Sequence, residues 1–261
     1  MTTLALAPVD ASPTVKFGNL LRAESRKLVN SLTAKILLAV IAALSLAVTI
    51  LIPLAALDQI REAGGSWHEF VEIAASGPSI FVPLLAIMLF TAEWSQNSVL
   101  STFVSEPRRG RVLFAKAIAT FVLAIVTWLL SQGVGAATAL VFDHAASLDL
   151  SWAFEWEKLA GSLIVFLLVT FQASALGLLL MNTPLAIVVY LLIPNVLGVL
   201  QTINPDLGKY TEWISPTAPS AYLSDMNFDG DNVWKLLTCI GLWVLLPGII
   251  GWIRQMRAEV S

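Results

Sequence analysis

The chain has 261 residues, of which 57% are hydrophobic and 13% charged, with a formal charge of −3. A soluble domain carries about 25% charged residues, so this sequence lacks the polar surface to cover a water-facing globule. The single cysteine, Cys239, excludes an intramolecular disulfide, and one cysteine with two histidines does not assemble a zinc cluster.

Residues 1–16 carry no positive stretch ahead of an apolar core and are expected as a flexible tail, not a cleaved signal. Residues 17–35 follow as an amphipathic helix. Phe17, Leu20, Leu21, Leu28 and Leu32 fall on one side at helical spacing, and Arg22, Arg26 and Lys27 on another. Such a helix is expected in the inner headgroup layer with its basic side near anionic lipid. The plainer alternative is topogenic charge ahead of the first span.

No Asp, Glu, Lys or Arg occurs in 36–57, 73–92, 117–142, 159–205 or 236–253. A spanning helix needs about 20 apolar residues, so four of these windows supply one span each. The 159–205 window would make a helix of about 70 Å at 1.5 Å per residue, against a hydrocarbon core of about 30 Å. It must turn back, and Met181-Asn182-Thr183-Pro184 is the place, since Pro184 suits the first turn of a new helix. Six spans are expected, near 36–56, 75–92, 113–141, 160–181, 184–203 and 234–253, forming a single domain over 17–261.

Charge orients them. Lys16, Arg22, Arg26, Lys27, Lys35, Arg108, Arg109, Arg111, Lys116, Arg254 and Arg257 fall on the side of the two termini. Arg61, Lys158, Lys209 and Lys235 fall on the other, with most of the acids. The positive-inside rule then puts both termini in the cytoplasm. Nine tryptophans suit two membrane–water interfaces, with Trp67, Trp152 and Trp156 expected at the outer one.

Within the 91–116 loop, Leu100, Phe103 and Val104 make a short apolar edge at helical spacing, broken by Glu106-Pro107 and followed by Arg108, Arg109 and Arg111. This is either an ordinary positive-inside loop or a short helix that a soluble partner grips, moving the two flanking spans together. Outside, 204–233 holds three prolines, and Trp213, Ile214, Ala221 and Tyr222 are too apolar for a freely solvated loop. Short helices or a re-entrant piece packed on the bundle would bury them.

Chemistry-bearing motifs are sparse. The sequence has no Walker A loop, no HExxH and no GxSxG elbow, and the span interiors hold no carboxylate to couple protons. Asp225-Met-Asn-Phe-Asp-Gly-Asp231 begins like a calcium loop, but the twelfth position is Leu236 where a bidentate Glu is needed. A turn-forming cluster is the simpler reading. Gln132, Gln172 and Asn195 lie within spans, either bonding helices together or lining a polar path. Gly133, Gly135, Ala139, Gly248 and Gly251 permit close helix approach.

Taken together, the amphipathic RAESRKL segment, the six-span order and the loop resemble the membrane subunits of ABC type-2 exporters. The residues that carry the resemblance are Glu93-Trp94 ending span two, Ser98 to Thr102, Pro107-Arg108-Arg109 with Arg111, Lys116 opening span three, and Trp213-Ile214-Ser215-Pro216. Ser95-Gln96-Asn97 stands where related permeases often have a basic-Gly element. The resemblance implies a permease subunit in the bacterial plasma membrane that is not itself an enzyme. It would pair with a second permease subunit and with an ATP-binding cassette subunit that holds ATP and Mg. Glu93, Trp94, Ser98, Leu100, Thr102, Phe103, Pro107, Arg108, Arg109 and Arg111 would form the coupling contact, and Gln132, Gln172 and Asn195 the substrate path. No cofactor, metal or nucleic acid is expected on this chain. The alternative is a non-transporting membrane protein, such as an immunity, sensing or assembly factor, built on the same bundle.

Overall fold

A computed structural model describes residues 16–30, 32–95, 108–203, 205–224 and 226–257. Residues 1–15 of the expected 1–16 tail lie outside them, as do Ser98, Leu100, Thr102, Phe103 and Pro107 of the loop.

The described residues are all-α, without a strand. Helix α1 (Phe17–Asn30) leads into α2 (Leu32–Ala55), a short α3 (Leu57–Ala63) and α4 (Trp67–Ser95). Next come α5 (Arg109–Ala146), α6 (Trp156–Leu180) and α7 (Thr183–Ile203). Short α8 (Pro205–Ile214) and α9 (Ala218–Ser224) precede the last hairpin arm, α10 (Asn232–Ile240) and α11 (Leu246–Arg257), joined by a π-helical turn over Gly241–Leu245.

Six helices among the described residues are long and apolar enough to cross a membrane: α2, α4, α5, α6, α7 and the α10–α11 pair. Helices α4, α5 and the α10–α11 pair run past the expected spans at both ends and α2 and α6 at their N-terminal ends, because the charged residues there continue the helix, whereas α7 matches its expected span to within one residue. The 38-residue α5 is about 57 Å long at 1.5 Å per residue, so it projects beyond a hydrocarbon core of about 30 Å or tilts within it.

Helix α4 is the centre of the bundle and packs on α2, α5 and α6, while α6 also carries α7, α9 and α11. Close approach at these seams depends on glycine. A Cβ at Gly135 of α5 would collide with the Val71 backbone of α4, and one at Gly161 of α6 would land on the Leu223 carbonyl of α9. Of the small residues singled out in the sequence, Gly251 is also in tight contact, against the Leu178 backbone, whereas Gly133 faces open space.

One of the two prolines inside α4 is answered locally. Pro78 has no N–H, which leaves the Ala74 carbonyl without its helical donor, and Ser45 Oγ of α2 supplies one at 2.6 Å. The π turn likewise coincides with Pro247, whose missing N–H would have bonded the Trp243 carbonyl. Between α6 and α7 the chain reverses sharply. Met181 adopts φ 54°, and Asn182 Oδ1 accepts from Leu185 N at 3.0 Å as an N-cap.

One end of the bundle gathers α1, the C-terminal turns of α4, α6 and α11, and the start of α5; it is called here the basic end. At the far end Trp67 stacks on Trp152, with centroids 6.1 Å apart, and Asp143 accepts from Leu150 N and Trp152 Nε1. Glu155, beside them, has its carboxyl held below the usual range by a hydrogen bond from Lys158. The 204–233 segment forms α8, α9 and a turn closed by Asn227, whose Oδ1 accepts from Asp229 N at 3.0 Å; Asp225 lies outside the described residues.

Candidate functional site

Four ionisable side chains meet at the basic end. Glu93, in the last turn of α4, accepts from Lys27 of α1 on Oε1 at 2.7 Å and from Lys116 of α5 on Oε2 at 3.1 Å. Lys27 bridges on to Glu24 at 2.7 Å. Lys116 also donates to the Leu89 carbonyl of α4 at 2.8 Å. Glu24 and Lys116 are each 1% exposed, so this is a neutral ion cluster (two acids, two bases) within packed helices. Removing charges from water is costly, and only close pairing offsets it. Burial pulls the Lys27 ammonium down, but the carboxylates of Glu93 and Glu24 outweigh it and hold its pKa above the ordinary 10.5.

The cluster changes the reading of α1. Leu20, Glu24 and Leu28, spaced by four residues, form the buried row, with Leu20 against Val112 and Ala115, and Leu28 against Leu89 and Ala119. Arg22 and Arg26 stay exposed. Lys27, grouped with them in the sequence, is also exposed along its stem, but its ammonium reaches the two carboxylates on the bundle side. Leu32 begins α2 and is 75% exposed, so it does not continue the α1 stripe.

Neighbouring bonds fasten the same end. Thr183, opening α7, bonds Thr91 at 2.7 Å and Ser95 at 3.0 Å on α4. Arg109 Nη1 donates to the Gln255 carbonyl at 2.9 Å, and Gln255 Nε2 to the Leu178 carbonyl at 3.1 Å, pinning α5 and α6 to α11. The last turn of α4 therefore holds α1, α5 and α7 at once, immediately before residues 96–107. Of the expected coupling residues, Glu93, Trp94, Arg108, Arg109 and Arg111 flank that loop.

The three candidate path residues separate. Gln172 is buried and donates to the Pro216 carbonyl at 3.0 Å and toward Cys239 Sγ at 3.2 Å, fixing the segment after α8 to α6. Asn195 is exposed on α7, donating to the Leu191 carbonyl one turn back. Both border a cavity of about 310 Å³ lined mainly by apolar side chains. Gln132 instead borders a second cavity, of about 410 Å³, nearer the far end.

Glu24 and Lys116 were not among the expected site residues. Their signal was present. Glu93 closes one charge-free window and Lys116 precedes the next, which sets opposite charges at equal depth in consecutive antiparallel spans. Glu24 shares its i±4 row with Leu20 and Leu28. Compared with models of known protein families the chain matches none, and no curated protein matches it.

Proposed function

We propose that this chain is the permease subunit of an ATP-binding cassette exporter in the bacterial plasma membrane, with both termini in the cytoplasm. The observation that carries this reading is the ion cluster. It couples the amphipathic helix α1 to the ends of α4 and α5 that flank residues 96–107. A soluble ATPase subunit gripping that loop and α1 would move two spans as a unit, because breaking the buried pair costs about 3–5 kcal/mol.

In this reading the partner holds ATP and Mg, and this chain contributes the path. Helix α7 supports a second permease subunit: only 6% of its apolar window is buried within the chain, which leaves a broad apolar face for a neighbouring subunit. Arg22 and Arg26 on α1 are placed to meet anionic headgroups.

The test is affinity purification of the chain from native membranes in mild detergent. Recovery of an ATP-binding subunit in stoichiometric amount, weakened by paired Arg108→Glu and Arg109→Glu substitution, is the expected result. Recovery of a folded chain that associates with no ATPase subunit removes the exporter reading and leaves the non-transporting bundle.

A further inference from the structure

The two cavities are neighbours. Ser79 of α4 and Val165 of α6 line both, and α9 closes both, through Ser220 on one and Ser224 on the other. The cavity nearer the far end is the more polar of the two, although apolar wall predominates in both, so together they grade from a more polar end to a more apolar one, as an amphiphile does.

The polar inventory of the first cavity says which head. Most of its polar groups are already engaged. His68 Nε2 accepts from Glu155 N at 3.3 Å, and Lys158 holds Glu155 at 2.8 Å. Trp128 Nε1 donates to Ser162 Oγ at 3.1 Å, and Ser76, Ser79, Ser162 and Ser224 each donate to a carbonyl of their own helix. Two groups are left. Both amide atoms of Gln132 are buried without a hydrogen-bond partner among the described residues, and buried polar atoms are normally paired. Glu72 brings a carboxylate to the same wall and makes no ion pair among the described residues. A carboxylate and an amide oxygen accept, and a cationic donor answers both; the Gln132 amide nitrogen, itself a donor, is left for an acceptor beside that cation.

We propose that the paired cavities bind an amphiphile with an ammonium head, its N–H groups on Glu72 and Gln132 Oε1, and its apolar tail passing Ser79 and Val165 into the deeper cavity. From Glu72 to Ser79 is seven residues, about 10 Å along α4; the head thus sits near the far interface and the tail reaches toward Val169, Leu176 and Tyr190. The site lies within one chain and does not depend on the exporter reading. Two sources supply this chemistry, an aminophospholipid of the bilayer and a soluble cationic amphiphile.

The experiment uses the full chain in phosphatidylglycerol nanodiscs with an alkylammonium probe bearing a photoreactive diazirine in its tail, and maps labelled residues by mass spectrometry. Labelling on α6 and α7 along the deeper cavity is expected. It should be competed by unlabelled alkylammonium about tenfold better than by the alcohol of equal length, the worth of one charge-assisted hydrogen bond. Glu72→Gln, isosteric at an exposed position, should erase that preference. Ser79→Leu should block labelling beyond the junction, with monodispersity on size exclusion as its folding control. Loss of labelling when phosphatidylethanolamine replaces part of the lipid assigns the site to the bilayer lipid; unchanged labelling assigns it to a soluble amphiphile. Equal competition by the alcohol, or a labelling pattern unaltered by Glu72→Gln, overturns the proposal.

Discussion

Replacing Lys116 with methionine tests the ion cluster most directly. The substitution preserves length and packing but removes the cation on Glu93 Oε2 at 3.1 Å and the donor to the Leu89 carbonyl at 2.8 Å. Glu93 keeps Lys27, so the loss falls at the lower end of the 3–5 kcal/mol typical of a broken buried pair, about 3 kcal/mol. For a chain of this size that is about 6–12 °C in Tm, at 2–4 °C per kcal/mol. Glu93→Gln alone should cost a similar amount, since Lys116 then lies buried with only a carbonyl. The double variant removes both charges together, and buried pairs replaced as a unit are often close to neutral. It should recover about 2 kcal/mol relative to the sum of the singles. The assay is thermal unfolding of the purified chain in one detergent, followed by tryptophan fluorescence, with all four members of the cycle measured side by side. Strict additivity would refute the reasoning, because it would mean the two side chains do not feel each other.

Other substitutions probe the seams. Gly135→Ala puts a methyl on the Val71 backbone and should lower stability by about 1–3 kcal/mol, whereas Gly133→Ala, two residues away in open space, should raise it by up to about 1 kcal/mol through helix propensity; thermal unfolding separates the two. Ser45→Ala deprives the Ala74 carbonyl of its substitute donor beside Pro78 and should cost about 1–3 kcal/mol, a loss that restoring the helical donor with Pro78→Ala should largely cancel. The raised pKa of Lys27 stabilises the docked α1 wherever the lysine is protonated in the unfolded chain, so that contribution is complete below the ordinary 10.5 and fades only as pH climbs through the higher folded value. Limited proteolysis within α1 should therefore be flat from neutral pH to the approach of 10.5 and rise beyond it.

The spans were legible because their signal is local and one-dimensional. A run without charges the length of a bilayer has few other readings, and Asn182-Thr183-Pro184 marked the reversal inside the longest of them. The short helices over 205–224 were legible as a class, but of the apolar residues expected to be buried there Ile214 and Ala221 stay exposed and Trp213 and Tyr222 are half-buried, and the docking surface on α6 depended on Gly161, which reads as an ordinary span glycine. The ion cluster was half legible. Glu93 drew notice as the charge ending a span, but its partners come from two other segments, α1 and α5, whose rotation about their axes sequence spacing does not give. Lys27 shows the limit clearly: on a helical wheel it belongs with Arg22 and Arg26, and only the presence of Glu93 nearby decides that its ammonium turns to the bundle side. Gln132, Gln172 and Asn195 read alike as uncharged polar residues in spans, yet one has no partner among the described residues, one holds the chain after α8, and one bonds its own helix.

The ion cluster and the cavities share the α4–α5 pair, and the way that pair is joined constrains how one can affect the other. At the basic end the two helices are locked by Glu93–Lys116 and by Lys116 on the Leu89 carbonyl. Toward the far end Gly135 brings α5 onto the Val71 backbone. Held at both ends, they behave as one strut. Against α6 the strut is differently fastened. Near the basic end Gly177 of α6 lies close on Ile87, where a Cβ would come within 3.2 Å of its Cα, but further along, at Ser79 and Val165, the same seam opens into the cavities. Pro78 and Pro83 lie in α4 on the far side of Ile87, where missing N–H donors weaken the helix against bending. A displacement delivered through α1 to Glu93 would therefore pivot about the Ile87–Gly177 contact, and its largest effect would be on the separation of Ser79 from Val165.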